Sequence, residues 1–510
     1  MILGKTKIAI EVIKYALITH PSKVVLFVAP TNPLCQQQAD AIREDLLVSA
    51  RFSPPVTVYV SGSTSTVNWV TTPKLGRSVV VGTPQKLLND LDNNLLPWDL
   101  CSLLVMDECH HTDKDHPCKF IMGNYEAAIK KCKVPRVLGL TASPAADVSE
   151  EKVIDRIINL CLLMRCRLAH ITETDTELHQ EIQRVVPIPK IQEIAINENN
   201  GYSYLRGALE KIHRQGPQSL QVSSTMSEDI DWTEMLEEAD EAGELDDNTQ
   251  SFFFKNIIIA ICAIEVFQPE ETTRILAKIQ HLHSDIPKIV AALGKLKGVE
   301  PPKAVRLWDL LRNELEKNPK ARGIIFVDVR SIADAMAKSI TSHVDPAISS
   351  AVKPQIFLGR NNKSGPLRMS TSEQKDALED FKKGNKNLLV ATSVAEEGID
   401  VQNCNFVVRV SARMTPLSMI QSRGRARYPD SSYYVLVAGS EDTRFLKNAV
   451  DGEKMMKKVL EAFNELDALL SKHTCETSWN DADLGTTSLG LKSQPTFEGT
   501  LTIYKNRLQE

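Results

Sequence analysis

The sequence predicts an α/β fold of two parallel-sheet units with an all-helical insert between them and a helical segment after the second. Three observations carry this. Short apolar, β-branched runs recur in two groups along the 510 residues, amphipathic stretches lie between several of them, and residues 200–299 show helical periodicity with no strand alternation. A chain of this length exceeds one hydrophobic core, so several compact units are expected.

The first group begins with KVVLFVAP (23–30), a buried parallel strand bounded by proline. RSVVV (77–81), SLLVM (102–106) and RVLGL (136–140) repeat the pattern, with an amphipathic helix over 35–47. The second group is GIIFV (323–327), NLLVA (387–391), FVVRV (406–410) and YYVLV (433–437). Within the insert, TTRILAKIQHLHSDIPKIVAALGKL (272–296) is helical, and the acidic run 228–247 reads as a solvated loop. Residues 441–473 read as one or two helices, and the tail from Thr474 is polar and poorly patterned.

Composition excludes several classes. Hydrophobic residues make up 42% and charged residues 25%, as in ordinary globular proteins. A formal net charge of -5 means that any nucleic acid is held in local grooves rather than by overall positive charge. The ten cysteines include no C-x-x-C pair, which argues against zinc and for reduced thiols in a cytoplasmic or nuclear compartment. The most apolar stretch, 251–267, contains Lys255 and Glu265 and predicts a buried helix rather than a membrane span.

The chemistry centres on Asp107-Glu108-Cys109-His110, which follows SLLVM directly. A carboxylate at the carboxyl end of a parallel strand stands on the sheet edge where α/β ligands bind. There Asp107 can hold Mg²⁺ on ATP phosphates, and Glu108 can orient or deprotonate the attacking water. Gly4-Lys5-Thr6 opens a helical stretch and matches the end of a phosphate-binding loop: amides and helix terminus cradle phosphate, Lys5 neutralises it and Thr6 ligates Mg²⁺. The full pattern needs an earlier glycine and a preceding strand, so the chain reads as amino-terminally truncated. In the second group, QSRGRAR (421–427) offers Arg425 and Arg427 for charge on a transferred phosphate, with ATSVAEEGID (391–400) as their partner segment.

Seven motifs, VAPTNPLCQQ (28–37), VGTPQKLL (81–88), DECHH (107–111), LTASP (140–144), GIIFVDVR (323–330), ATSVAEEGID and QSRGRAR, occur in an order that resembles the superfamily 2 DECH-box helicases. Within these it resembles the group of RIG-I-like receptors and the Dicer helicase module, and the tail segment FEGTLTIYKNRL (497–508) slightly favours a Dicer-like chain. The resemblance implies two RecA-like domains that close around ATP and double-stranded RNA. It implies catalytic or nucleotide-site roles for Asp107, Glu108, Gln421, Arg425 and Arg427, with Gly4, Lys5, Thr6, Gly398 and Asp400 binding ATP. It implies RNA-backbone contacts at Thr31, Thr83, Pro84, Gln85, Thr392 and Ser393, and coupling of the two sites through Thr141 and Ser143.

The expected organisation is a first RecA-like domain over 1–190, a helical insert over 191–300, a second RecA-like domain over 301–440, a helical pincer over 441–473 and a tail over 474–510. No zinc-binding RNA end-reader, ribonuclease III or caspase-recruitment segment is recognisable. The expected partners are double-stranded RNA and a ribonuclease III or double-stranded-RNA-binding protein, with ATP and Mg²⁺ as cofactors and no membrane. Two function classes stand: an RNA-stimulated ATPase acting in silencing or antiviral RNA processing, or a non-catalytic RNA-binding protein derived from the same motor. A DNA-remodelling relative is a third reading.

Overall fold

The computed structural model describes residues 5–49, 55–59, 78–113, 116–145, 147–169, 188–196, 200–215, 256–257, 260, 264, 269–296, 299–328, 330–359, 369–392, 401 and 404–473. The chain divides into two units, Met1–Ile182 with Val450–Glu510, and Gln183–Ala449.

In the first unit the apolar runs form β1 (Val24–Val28), β3 (Ser78–Gly82), β4 (Cys101–Asp107) and β5 (Arg136–Leu140), with β2 (Val56–Tyr59) at one edge. The order is β2-β3-β1-β4-β5, and every pairing is parallel. Helices α1 (Lys5–Thr19), α2 (Asn32–Ser49), α3 (Pro84–Asp92), α4 (Pro117–Ile129) and α5 (Glu150–Met164) complete it. Strand alternation divides the core: Val25 and Phe27 pack with α1 and α2, whereas Val24, Leu26 and Val28 pack with α3 and α4. Both faces of the sheet are therefore covered, which is why these strands read as continuous apolar runs.

The second unit holds a six-stranded sheet in the order β6-β11-β10-β7-β9-β8. Its strands are β6 (Ile191–Ile196), β7 (Gly323–Phe326), β8 (Pro354–Phe357), β9 (Leu388–Ala391), β10 (Phe406–Arg409) and β11 (Ser432–Ala438). Its helices are α6 (Asn200–Gln215), α7 (Pro269–Ala277), α8 (Ile286–Gly294), α9 (Pro302–Lys317), α10 (Arg330–Thr341), α11 (Pro346–Ser349), α12 (Thr371–Lys383) and α13 (Pro416–Arg423). Ile257, Ala260 and Ile264, the described apolar residues of the stretch 251–267, are fully buried. A final helix, α14 (Gly439–His473), is one continuous element rather than two.

One expectation needs correction. The insert begins later than residue 191, because Ile191–Ile196 is a strand that pairs in parallel with β11. Its alternating, largely exposed face gives it no apolar run, and it reads in the sequence as nothing in particular. Tail residues 474–510 lie outside the described residues.

Candidate functional site

All of the described first-unit candidates stand on one edge of the first sheet. Thr83 follows β3, Thr31 follows β1, Asp107 ends β4, and Thr141 and Ser143 follow β5. Parallel pairing puts the carboxyl ends of these strands side by side, where side chains beyond the sheet can converge on a ligand.

Lys5, the first residue of α1, reaches the acids of this edge. Its Nζ donates to Glu108 Oε1 and lies 3.9 Å from Asp107 Oδ1. Asp107 is 4% exposed, and burial raises its carboxyl from the ordinary 3.8 to about 6. Lys5 opposes that rise, Glu108 adds to it, and the Glu108 amide and Gln38 donate to the carboxylate. Glu108 holds φ +49°, in the left-handed region that side chains beyond glycine rarely adopt. Backbone strain of this kind, about 1–3 kcal/mol, concentrates at functional sites. Gly4 lies outside the described residues, and Thr6 is half-buried in the first turn of α1.

The donor set fits a hydrated divalent cation and a water nucleophile. Gln38 Oε1 and Glu108 Oε2 are buried and accept no hydrogen bond from the described residues. His110 Nδ1 stands 3.5 Å from Glu108 Oε2. Orphaned acceptors beside a buried carboxylate are what a cation with its waters would satisfy. Asp107 and Thr6 would hold Mg²⁺, which supplies charge neutralisation on phosphate oxygens. Gln38 escaped the sequence reading: it stands one residue beyond VAPTNPLCQQ, and only its burial on α2 and its bond to Asp107 mark it.

Thr141 and Ser143 are tied to this centre. Thr141 Oγ1 donates to Ser143 O at 3.0 Å and accepts from the Ser143 amide at 3.1 Å. His110 Nδ1 lies 2.9 Å from the same oxygen. Thr141 Oγ1 has its one proton on Ser143 O, so the network assigns the proton to Nδ1 of His110. Ser143 is 2% exposed, and its hydroxyl faces two acceptors, Ala145 O at 3.0 Å and Met456 Sδ at 2.9 Å.

The RNA-backbone candidates differ in availability. Thr31 is exposed, and Gln85 is exposed with its amide on Asn89. Thr83 is the N-cap of α3, makes no side-chain capping bond and is followed by Pro84, buried at the first helical position. In the second unit Thr392, 1% exposed, directly follows β9. Ser393, Gly398 and Asp400 lie outside the described residues.

The motif arginines stand at the other end of that second sheet. Ala426 bridges Cys404, which precedes β10, so Arg425 and Arg427 sit where the strands begin. Thr392 follows the carboxyl end of β9 and so lies at the opposite end of the strands from Cys404. The described part of ATSVAEEGID thus does not meet the arginines, because α13 returns antiparallel to the strands and delivers them to the opposite edge. Arg425 is 5% exposed, Gln421 is half-buried, and Arg427 Nε donates to Gly424 O at 2.7 Å.

Among the described residues no group of three or more His, Cys, Asp or Glu side chains forms a metal cluster, and no helix is long and apolar enough to cross a membrane. The eight described cysteines are free thiols.

Two family models match the chain. Residues 3–146 match the family described as type III restriction enzyme, res subunit, and residues 306–428 match the helicase conserved C-terminal domain. The chain is 29% identical to the ATP-dependent RNA helicase DHX58 of Mus musculus over 72% of its length and 57% of that protein's. It is 28% identical to Dicer-like protein 2 of Cryphonectria parasitica over 91% of its length and 34% of that protein's. It therefore spans little more than half, or less, of these relatives. The Pyrococcus furiosus Hef helicase domain shares the fold, with a TM-score of 0.55 at 23% identity, covering 88% of this chain and 93% of that one. The chain is a superfamily 2 helicase of the Dicer and RIG-I-like receptor type.

Proposed function

We propose that this protein is an ATP-driven motor module stimulated by double-stranded RNA and acting in RNA silencing or antiviral RNA processing. The observation that carries the reading is the convergence of Lys5, Asp107 and Glu108 on one sheet edge. Lys5 exchanges its carboxylate partners for phosphate when nucleotide binds. Asp107 would hold Mg²⁺, which would neutralise phosphate charge, and Glu108, with one buried oxygen open, would accept a proton from the attacking water. Arg425 and Arg427 are the cations that the motif resemblance implies for phosphate charge.

Duplex RNA is the proposed track. Thr31, Thr83 and Gln85 on the first sheet edge, and Thr392 and Ser393 in the second unit, offer hydroxyls, amides and backbone rather than a basic stripe. That chemistry suits A-form backbone and 2′-hydroxyl recognition with low sequence specificity. The names of the mouse and fungal relatives support the same direction. A ribonuclease III or a double-stranded-RNA-binding protein is the proposed partner, in a cytoplasmic or nuclear setting.

A competition assay tests the track. Labelled duplex RNA should be displaced by unlabelled duplex RNA at least about tenfold more readily than by duplex DNA, with affinity falling as salt rises. Equal competition by DNA would move the reading to a DNA-remodelling motor.

A further inference from the structure

The last turn of α13 carries a buried polar cluster to which neither the motifs nor the proposed function gives a role. Ser422 is fully buried, and its hydroxyl lies 2.7 Å from Ser418 O, 3.2 Å from Met419 O, 2.9 Å from the Tyr433 hydroxyl and 3.5 Å from Arg409 Nη1. A hydroxyl has one proton and two lone pairs. The Ser422 proton goes back to the Ser418 carbonyl, the nearer of the two backbone acceptors. In the bond shared with Tyr433 the phenol is therefore the donor, and Arg409 faces the remaining lone pair.

Both partners are fixed by the second sheet. Tyr433 stands fully buried on β11, and Arg409 ends the neighbouring β10 with its guanidinium carbon 5.5 Å from the centre of the Phe326 ring. The same Arg409 Nη1 donates to Ser418 Oγ at 3.0 Å, and the Ser418 amide donates to the Thr415 hydroxyl that caps α13. Two strands thus grip α13 along its length. Hydrogen bonds are directional where apolar contacts are not, so this cluster fixes one rotation and one height of the helix. What the grip delivers is Arg425. The helix closes at Gly424, the Arg425 amide turns back onto Ser422 O at 3.1 Å, and the Arg425 carbonyl accepts from the Cys404 amide at 3.1 Å. Ser422 therefore meets the strands through its hydroxyl and Arg425 through its carbonyl.

We propose that Ser422, clamped by Tyr433 and Arg409, is a positioning residue for ATP hydrolysis that acts through Arg425, a cation that the motif resemblance implies for phosphate charge. The inference rests on the motor reading above, and every residue of the clamp belongs to the second unit. An arginine that stabilises transferred charge works only when it is held in place before the reaction, which is what a fixed backbone at Arg425 supplies.

The test is a double-variant cycle in the full chain, read by phosphate release with duplex RNA and by amide hydrogen exchange. Ser422→Ala should lower kcat about tenfold and leave KM for ATP within about twofold, and Tyr433→Phe, which keeps the serine, should lower kcat about threefold. In an Arg425→Ala background, Ser422→Ala should cost less than about twofold more, because its effect passes through the arginine. A merely structural loss would be the same in both backgrounds. Exchange at 424–427 should quicken in Ser422→Ala while β10 and β11 keep the protection of the parent. Multiplying losses in the cycle, a kcat for Ser422→Ala equal to that of the parent, or unchanged exchange at 424–427 would overturn the proposal. If the parent itself releases no phosphate, the motor reading fails and the role in hydrolysis with it, while quickened exchange would still support the hold of Ser422 on Arg425.

Discussion

His110 Nδ1 lies 2.9 Å from Thr141 Oγ1 and 3.5 Å from Glu108 Oε2. One imidazole thus stands between the proposed base and the loop after β5. Replacing His110 by Ala should reduce kcat about tenfold to a hundredfold with little change in KM, as expected when a group orients a base rather than binding substrate. Thr141→Val should do the same, and the double variant should be no worse than either alone, because both act through one contact. Additive losses in a steady-state comparison would show that the two residues act separately.

Burial holds the Asp107 carboxyl at about 6, above its ordinary 3.8. The folded state thus binds this proton more tightly than the unfolded chain. Its stabilising contribution is complete below about pH 4 and is lost as pH rises through about 6. Cation binding has the opposite requirement, since it needs the carboxylate. Affinity for Mg²⁺-nucleotide should fall toward tenfold per pH unit below about pH 6. Gln38→Leu removes a hydrogen bond that favours the ionised form and should move the midpoint upward. Titration by calorimetry between pH 5 and 8 (about the range where the protein stays folded) checks both.

Gly139 is dictated by its neighbours. A Cβ there would stand 2.9 Å from Cys109 Sγ and 3.0 Å from Met164 Cε. Gly139→Ala should cost about 1–3 kcal/mol in a denaturant titration by overpacking. Cys109 adjoins Glu108, so kcat should fall as well. Adding Cys109→Ala should relieve most of the loss in stability, and failure to do so would place the strain elsewhere.

Asp442 combines burial, which alone would raise it, with Lys303 and Arg206, which more than offset it and hold the carboxyl at about 2. Its stabilisation is present above about pH 4 and lost as pH falls through about 2; it amounts to about 2 kcal/mol. Asp442→Asn removes the carboxylate to which Lys303 and Arg206 both donate and should destabilise the second unit by about 3–5 kcal/mol. Asp442→Asn with Lys303→Met should recover part of this in thermal melts.

The legibility of the fold followed burial. Strands covered on both faces, such as Val24–Val28 and Leu388–Ala391, announce themselves as apolar runs. The three unread strands, Val56–Tyr59, Ile191–Ile196 and Pro354–Phe357, are all edge strands with half-exposed faces. An edge strand needs no continuous apolar run, so periodicity alone passes over it unless, as in β5, the run is kept. The site shows the same limit. Asp107 and Glu108 were readable because a buried strand precedes them. Gln38, His110 as a bridge to Thr141, and Met456 depend on contacts between elements far apart in sequence, up to 313 residues for Ser143 and Met456. No local pattern carries that information.

Lys5, Asp107 and Glu108 are proposed to form an ATP-hydrolysing site responsive to duplex RNA. Steady-state phosphate release from Mg²⁺-ATP, with and without duplex RNA, tests it in the parent, Lys5→Ala and Glu108→Gln. The parent should turn over faster with RNA, and Glu108→Gln should lose at least about a hundredfold while still binding RNA. No RNA-dependent release from the parent, or release that survives both substitutions, would contradict the claim and leave a non-catalytic RNA-binding protein as the better account.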